Sequence, residues 1–83
     1  MKELIEKLHK EDMLWFFMAN LISAEALQNE HDCESSLLII GEIEDCLKDE
    51  TLDIDSKTKD KLNDLLVKSK EIVEKEYSRF KLN

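Results

Sequence analysis

The chain is short, highly charged and acidic, which excludes several classes of protein. It has 83 residues, of which 42% are hydrophobic and 39% are charged, and its formal net charge is −8. A chain of this length has room for one domain with one hydrophobic core. Because the apolar residues recur at helical spacing between the charged ones, folded helices are expected rather than disorder.

Charge is unevenly distributed along the chain. Residues 1–54 carry 4 basic and 14 acidic side chains and residues 55–83 carry 8 basic and 6 acidic ones, so the two parts bear about −10 and +2. This asymmetry favours packing of the last helix against the acidic first part, within or between subunits. The absence of a basic patch interleaved with aromatic residues argues against nucleic acid and anionic membranes as partners.

Two features indicate a cytoplasmic protein. Residues 1–12 are mixed in charge, which differs from the basic and then apolar regions of a secretory signal. Cys33 and Cys46 are expected on one helix, where a separation of 13 residues corresponds to roughly 20 Å along the axis. A disulfide needs Cα atoms within about 7 Å. Two free thiols are therefore expected, as in a reducing compartment.

Residues 13–27 form the most apolar stretch, and the rest of the chain is expected to cover it. This stretch contains the only Trp, two of the three Phe and two of the three Met. On a helical wheel, Leu14 and Met18 fall on one side and Phe16 and Phe17 roughly opposite, so the helix has two apolar faces. At about 15 residues, with polar side chains inside it, the stretch is too short and too polar to span a bilayer.

The apolar periodicity predicts three helices, over about residues 2–31, 33–50 and 56–80. The first is either continuous or broken near residues 11–12, where Asp12 could cap a fresh start. Asp32 is the expected cap of the second helix. The third helix has three candidate caps, Asp53, Asp55 and Ser56.

These helices predict an all-α fold. The sequence has no Pro and a single glycine, Gly41, so the usual signals of strands and turns are lacking. Helices with short connections favour an antiparallel three-helix bundle, formed as a single domain over residues 1–83. We expect this bundle to pack into a homodimer through its first helix.

The first helix is expected to form the subunit contact because both of its sides are apolar. Such a helix is either central in a bundle or shared between two contacts, and a chain this short has few elements to surround it. Leu38 lies outside the apolar stripe of the second helix and is a second sign of a partner. The predicted interface residues are Met13, Trp15, Phe16, Phe17, Leu27 and Leu38.

Four side chains support an alternative, a metal site in a ferritin-like helical bundle. Glu6 and His9 have the Glu-x-x-His spacing that places both on one helix face, and Glu25 and Glu76 interrupt apolar stripes. A buried carboxylate must be paired, protonated or bound to a cation. A symmetric dimer would have to supply the second Glu-x-x-His pair. The simpler interpretation is that each stripe ends at solvent, where a carboxylate meets water or a Lys.

Motifs for catalysis are weak. The polar run 31–34 lacks the ligand spacing of a zinc site, and its acidic residues oppose a thiolate at Cys33. Glu42, Glu44 and Asp45 could hold Mg²⁺ in a nucleotide-handling enzyme, but they point to different sides of their helix and no basic phosphate clamp faces them. One glycine excludes the glycine-rich phosphate loops. We predict no catalytic residue and no cofactor.

The sequence therefore predicts a cytoplasmic, non-enzymatic helical module. It is expected to bind a second copy of itself and to offer an apolar helix face to another protein. Trp15, Phe16 and Phe17 would be the aromatic anchors, since aromatic side chains dominate the energy of helix-face contacts.

Overall fold

The computed structural model describes residues 1–82, and every regular element in that range is a helix. Four helices follow one another: α1 (Lys2–Lys10), α2 (Leu14–Leu21), α3 (Glu30–Leu47) and α4 (Ser56–Lys81). The all-α prediction is confirmed. The number of helices differs from the predicted three, because the region of the first predicted helix contains two short helices and an irregular segment. None of the described helices has the length and apolarity needed to cross a bilayer.

A turn separates α1 from α2 at the place where a break was one of two predicted alternatives. Asp12 has a φ of 61°, in the left-handed region that Asp tolerates better than most side chains. The Met13 amide donates to the Leu8 carbonyl oxygen at 2.8 Å and closes the turn. Because a left-handed residue cannot continue a right-handed helix, α1 ends here and α2 begins afresh.

The continuation of the first helix to residue 31 is wrong, because α2 ends at Leu21. The Ser23 hydroxyl donates to the Asn20 carbonyl oxygen at 3.0 Å and accepts a bond from the Ala26 amide at 3.3 Å. Such local bonds give the backbone an alternative to the helical ladder. Residues 22–29 consequently form an irregular connection that leads into α3.

Asn29 caps α3, which begins three residues before the predicted start. Its side-chain oxygen accepts a bond from the Asp32 amide at 2.9 Å. Asp32, the predicted cap, lies in the first turn instead, and its carboxylate accepts a bond from the Gln28 amide at 3.2 Å. The bond to Asn29 satisfies an amide of the first turn that the helix itself leaves free, and the bond from Gln28 ties the residue before the cap to that turn.

Asp55, one of the three candidate caps, is the N-cap residue of α4. Its carboxylate accepts bonds from the Thr58 amide at 3.2 Å and the Thr58 hydroxyl at 2.5 Å. The helix has 26 residues, or about 39 Å at 1.5 Å per residue. That length accounts for nearly all of the longest dimension of the molecule, 42 Å.

The main packing contact is an antiparallel hairpin of α3 and α4. The Tyr77 hydroxyl donates to the Glu34 carboxylate at 2.8 Å, which joins the end of α4 to the start of α3. Between them lies a row of buried apolar side chains: Cys33, Ile40 and Ile43 from α3, and Leu62, Leu66 and Val73 from α4. Ser36 and Ser69 are the buried polar residues of the same two helices.

The two short helices cover the open side of this hairpin. Ile5 of α1 and Leu14 and Met18 of α2 are buried in the same core. The Ser36 hydroxyl donates to the Leu21 carbonyl oxygen at 3.2 Å and fixes the end of α2 on α3. Burial of each large apolar side chain contributes about 2 kcal/mol, so these contacts hold short helices that would be unstable alone.

Polar contacts along one face of α1 join it to the connection between α3 and α4. Lys2 donates to the Thr51 hydroxyl. Glu6 accepts a bond from the Asp53 amide at 2.7 Å, and His9 Nε2 lies 3.6 Å from an Asp55 carboxylate oxygen. These groups are largely solvated, so they orient α1 more than they stabilise it.

The two buried serines should respond in opposite ways to removal of their hydroxyls. Within the described residues, the Ser69 hydroxyl is buried without a hydrogen-bond partner, whereas that of Ser36 is bonded. We expect Ser69→Ala to raise the free energy of unfolding by about 1 kcal/mol and Ser36→Ala to lower it by about 1 kcal/mol. Urea unfolding followed by circular dichroism measures both, and a loss of stability in Ser69→Ala would contradict the assignment.

Stability should fall in acid, in part through Asp55 and Asp49. Hydrogen bonds from the hydroxyls of Thr58 and Thr51 lower the pKa of these two carboxyl groups. A carboxylate whose pKa is lower in the folded state adds stability above its unfolded pKa, and this contribution is lost as the pH falls through the folded pKa. We therefore expect the free energy of unfolding to decrease below about pH 5.

The variant Asp55→Asn isolates one of these groups, because Asn can still cap the helix but does not titrate. Its unfolding free energy should depend less steeply on pH than that of the unsubstituted chain. Asp64→Asn, at an exposed position of the same helix, is the matched control. Parallel pH curves for Asp55→Asn and the unsubstituted chain would count against the role of Asp55.

Candidate interaction surface

The outer side of α2 is an uncharged apolar surface. No residue from Met13 to Ala24 is charged, in a chain of which 39% is charged. The Phe16 side chain is 64% exposed and that of Met13 is 42% exposed. Ala19 and Asn20 are also exposed. We call this region the α2 surface and define it as Met13, Phe16, Phe17, Ala19 and Asn20.

The other predicted interface residues are placed differently. Trp15 is half-buried under the Lys61 ammonium, which lies 4.6 Å from the ring centroid. Phe17 is half-buried against the core. Leu27 is only 6% exposed and belongs to the core of its own chain. Leu38 is 70% exposed on the outer side of α3.

The structure therefore brings Met13, Phe16 and Phe17 together at α2. Of the other three predicted residues, Trp15 lies on the same helix under Lys61, and Leu27 and Leu38 lie apart from α2. Leu27 lies beyond the end of α2, where the helical wheel that grouped it with Phe16 no longer applies. Leu38 belongs to a different helix and has the acidic residues Glu42 and Asp45 nearby on a shallow groove.

Beside the α2 surface lies a shallow groove between α2 and α3, which the sequence did not reveal. We call it the α2–α3 groove. Its lining residues come from both helices and from the irregular connection: Phe17, Asn20, Leu21, Ala26, Asp32, Ser35, Ser36 and Ile39. The sequence shows Phe17 and Ile39 as apolar residues on two predicted helices, but the groove also depends on Ala26, which a continuous first helix would have placed elsewhere.

The four residues of the alternative metal site are not gathered in one place. Glu6 and His9 contact the connection between α3 and α4. Glu76 pairs with Arg79 at 3.1 Å near the other end of α4, and Glu25 is exposed in the connection after α2. Over residues 1–82, no group of three or more His, Cys, Asp or Glu side chains is placed to hold a metal ion.

The acidic residues considered for Mg²⁺ line one shallow groove on α3. Glu42, Glu44 and Asp45 share it with Lys48, whose ammonium lies 4.0 Å from the Asp45 carboxylate. Among the residues described, this set does not qualify as a metal-holding group either. The charged side chains here are solvated, and the groove also contains the exposed Leu38.

Both cysteines have environments that favour the neutral thiol. Burial, followed by the nearby carboxylates of Glu76 and Asp32, raises the pKa of Cys33. Burial also raises the pKa of Cys46, which is half-buried. Both lie on α3, and both are unpaired in the described chain. These surroundings disfavour a thiolate nucleophile at Cys33, as the acidic residues beside it in the sequence predict.

The two thiols should react with alkylating reagents at different rates. Cys33 is fully buried, so its alkylation requires opening of the α3–α4 core, whereas Cys46 is partly accessible. With iodoacetamide at neutral pH, we expect Cys46 to be modified first and Cys33 only when the chain unfolds. Mass spectrometry of tryptic peptides measures both rates. Faster modification of Cys33 than of Cys46 would show that the α3–α4 core opens readily.

No known family model matches this sequence, and no curated protein or solved structure resembles it significantly.

Proposed function

We propose that this chain is a non-enzymatic interaction module that forms a homodimer through the α2 surface. The observation that supports it is the 64% exposure of Phe16 on a helix without charged residues. Burial of an aromatic side chain of this size contributes about 2 kcal/mol of favourable free energy. Exposed aromatic residues are also the type that dominates binding energy at interfaces.

The charge of the molecule favours this surface over others for self-association. With a net charge of −8, two copies repel each other wherever their acidic faces meet. On the outer side of α3, for example, the exposed apolar Leu38 lies beside Glu42, Glu44 and Asp45. The α2 surface carries no charge of its own, so two copies can approach there with the least electrostatic cost.

Within this proposal the protein acts in the cytoplasm by binding alone, without a catalytic residue or a cofactor. The cytoplasmic location is supported by two unpaired thiols on one helix of the described chain, a pattern expected where thiols stay reduced. The raised pKa of Cys33 and the scattered positions of Glu6, His9, Glu25 and Glu76 favour a binding role over chemistry.

Replacement of Phe16 should convert the dimer into a monomer without unfolding it. Phe16 is the better target than Phe17, because Phe17 packs against the core. We expect Phe16→Ser to halve the solution mass measured by light scattering, while the free energy of unfolding of the monomer changes by less than about 0.5 kcal/mol.

The matched control is Val67→Ser, at an exposed apolar position on α4, where the side chain is 55% exposed. This variant should remain dimeric, because Val67 lies outside the α2 surface. An unsubstituted chain that is monomeric at high concentration would contradict the proposed function. So would a Phe16→Ser variant that keeps the mass of a dimer.

A further inference from the structure

We infer that a row of basic side chains on α4 binds an acidic amphipathic helix of a partner protein. The row consists of Lys57, Lys61, Lys68, Lys75 and Arg79, all of them exposed, and we call it the basic row. It lies on α4, outside the α2 surface, so this inference goes beyond the proposed homodimer and does not depend on it.

Helical spacing aligns the basic row along one side of α4. Its successive members are separated by 4, 7, 7 and 4 positions. At about 100° per residue, these separations keep all five within about 40° of arc, along about 33 Å of the helix. Leu62, Leu66 and Val73, which are buried in the core, lie on another side. The surface of α4 therefore carries one line of positive charge.

The lysines of the basic row are not neutralised within the described chain. Over residues 1–82 none of them forms an ion pair, although the chain has 20 acidic side chains. The Lys61 ammonium lies over the Trp15 ring instead. Asp64 and Glu71, which border the row on α4, do not pair with these ammonium groups either. The positive charge is thus left for a ligand from outside the chain.

The spacing of the row also works against the helix that carries it. Lys57 and Lys61 are like-charged neighbours one turn apart, and so are Lys75 and Arg79. Like charges at this separation destabilise a helix. The row is therefore not explained by the stability of α4, whereas an acidic partner would offset the repulsion.

An apolar groove beside the basic row narrows the chemistry of the partner. It lies between α4 and the connection after α2, and its lining residues are Ile22, Ala24, Leu27, Ile72, Glu76 and Arg79. Ile72 is 42% exposed, and Glu76 is paired with Arg79 at 3.1 Å. A helix with carboxylates along one face and apolar side chains beside them matches both the charged line and the groove.

Two other occupants match this surface less well. A nucleic-acid backbone complements the charge but has no apolar side chains for the groove. A second copy could offer the outer side of α3, where Leu38 lies beside Glu42 and Asp45. However, contact between two different surfaces of one chain produces open assemblies unless it closes into a ring, and the copies repel each other through a net charge of −8 each.

Selection of peptides against the full chain tests the chemistry of the partner. The library displays a short helical scaffold whose surface positions are randomised. We expect the selected peptides to carry Asp or Glu at spacings of three, four or seven positions on one face, with apolar residues next to them. The most strongly enriched peptide, synthesised with a fluorescent label, then serves as the probe for affinity measurements by fluorescence anisotropy.

Charge reversal in the row should abolish most of this binding. We expect Lys68→Glu, at the centre of the row, to weaken binding of the probe by about tenfold or more. Lys70→Glu is the matched control, because it makes the same change in charge at an exposed position of α4 that lies on a different side of the helix. It should change the affinity by less than about threefold. Circular dichroism checks that both variants keep the helix content of the unsubstituted chain.

Several results would overturn the inference. These are selected peptides that are neutral or basic, a selection that yields no binder, and a probe that binds Lys68→Glu and Lys70→Glu equally well. A DNA duplex that binds the row more tightly than the probe would assign the row to nucleic acid. Self-association that is lost in Lys68→Glu but kept in Phe16→Ser would assign it to a second copy. The homodimer is tested separately by Phe16→Ser, so failure of the peptide selection leaves the proposed function standing.

Discussion

The antiparallel packing of α3 on α4 is the contact on which the rest of the structure depends. These two helices supply a row of buried side chains, among them Ile40 and Ile43 of α3 and Leu66 and Val73 of α4. A pair of helices, however, leaves one side of its apolar seam open to water. The short helices α1 and α2, of nine and eight residues, close that side. Helices of this length are marginal alone, so they exist only because the hairpin is there to receive them.

The closure by α2 explains why an apolar surface remains outside. Leu14 and Met18 cover the hairpin core, and in the described chain no further helix lies beyond α2 to cover Phe16. Because α2 is apolar on both sides, one apolar side is buried inside the chain and the other remains exposed to water. In our proposal a second copy completes the burial, which would link the stability of the fold to association.

Sequence reasoning predicted part of this surface. Helical periodicity separates Phe16 from Leu14 and Met18, because residues two apart lie on opposite sides of a helix. It could not predict how far the Trp15 and Phe17 side chains are exposed, because their half-burial depends on Lys61 and on the position of α3. It misplaced Leu27, because the Ser23 hydroxyl ends the helix before that residue. The groove could not be predicted, since it requires Ala26 and Ile39, 13 positions apart in the chain, to lie side by side.

The sequence by itself determined the helical class, the break at Asp12 as an alternative, the cap at Asp55 as a candidate and the concentration of uncharged apolar residues in one stretch. These depend on local spacing and on hydrogen bonds between near neighbours, which the order of residues specifies. Only the tertiary structure decided which side of α2 faces the core, where Glu6, His9, Glu25 and Glu76 lie relative to one another, and that a groove forms beside Phe16. Those outcomes depend on contacts between helices distant in sequence, and such contacts are set by the packing of α3 on α4.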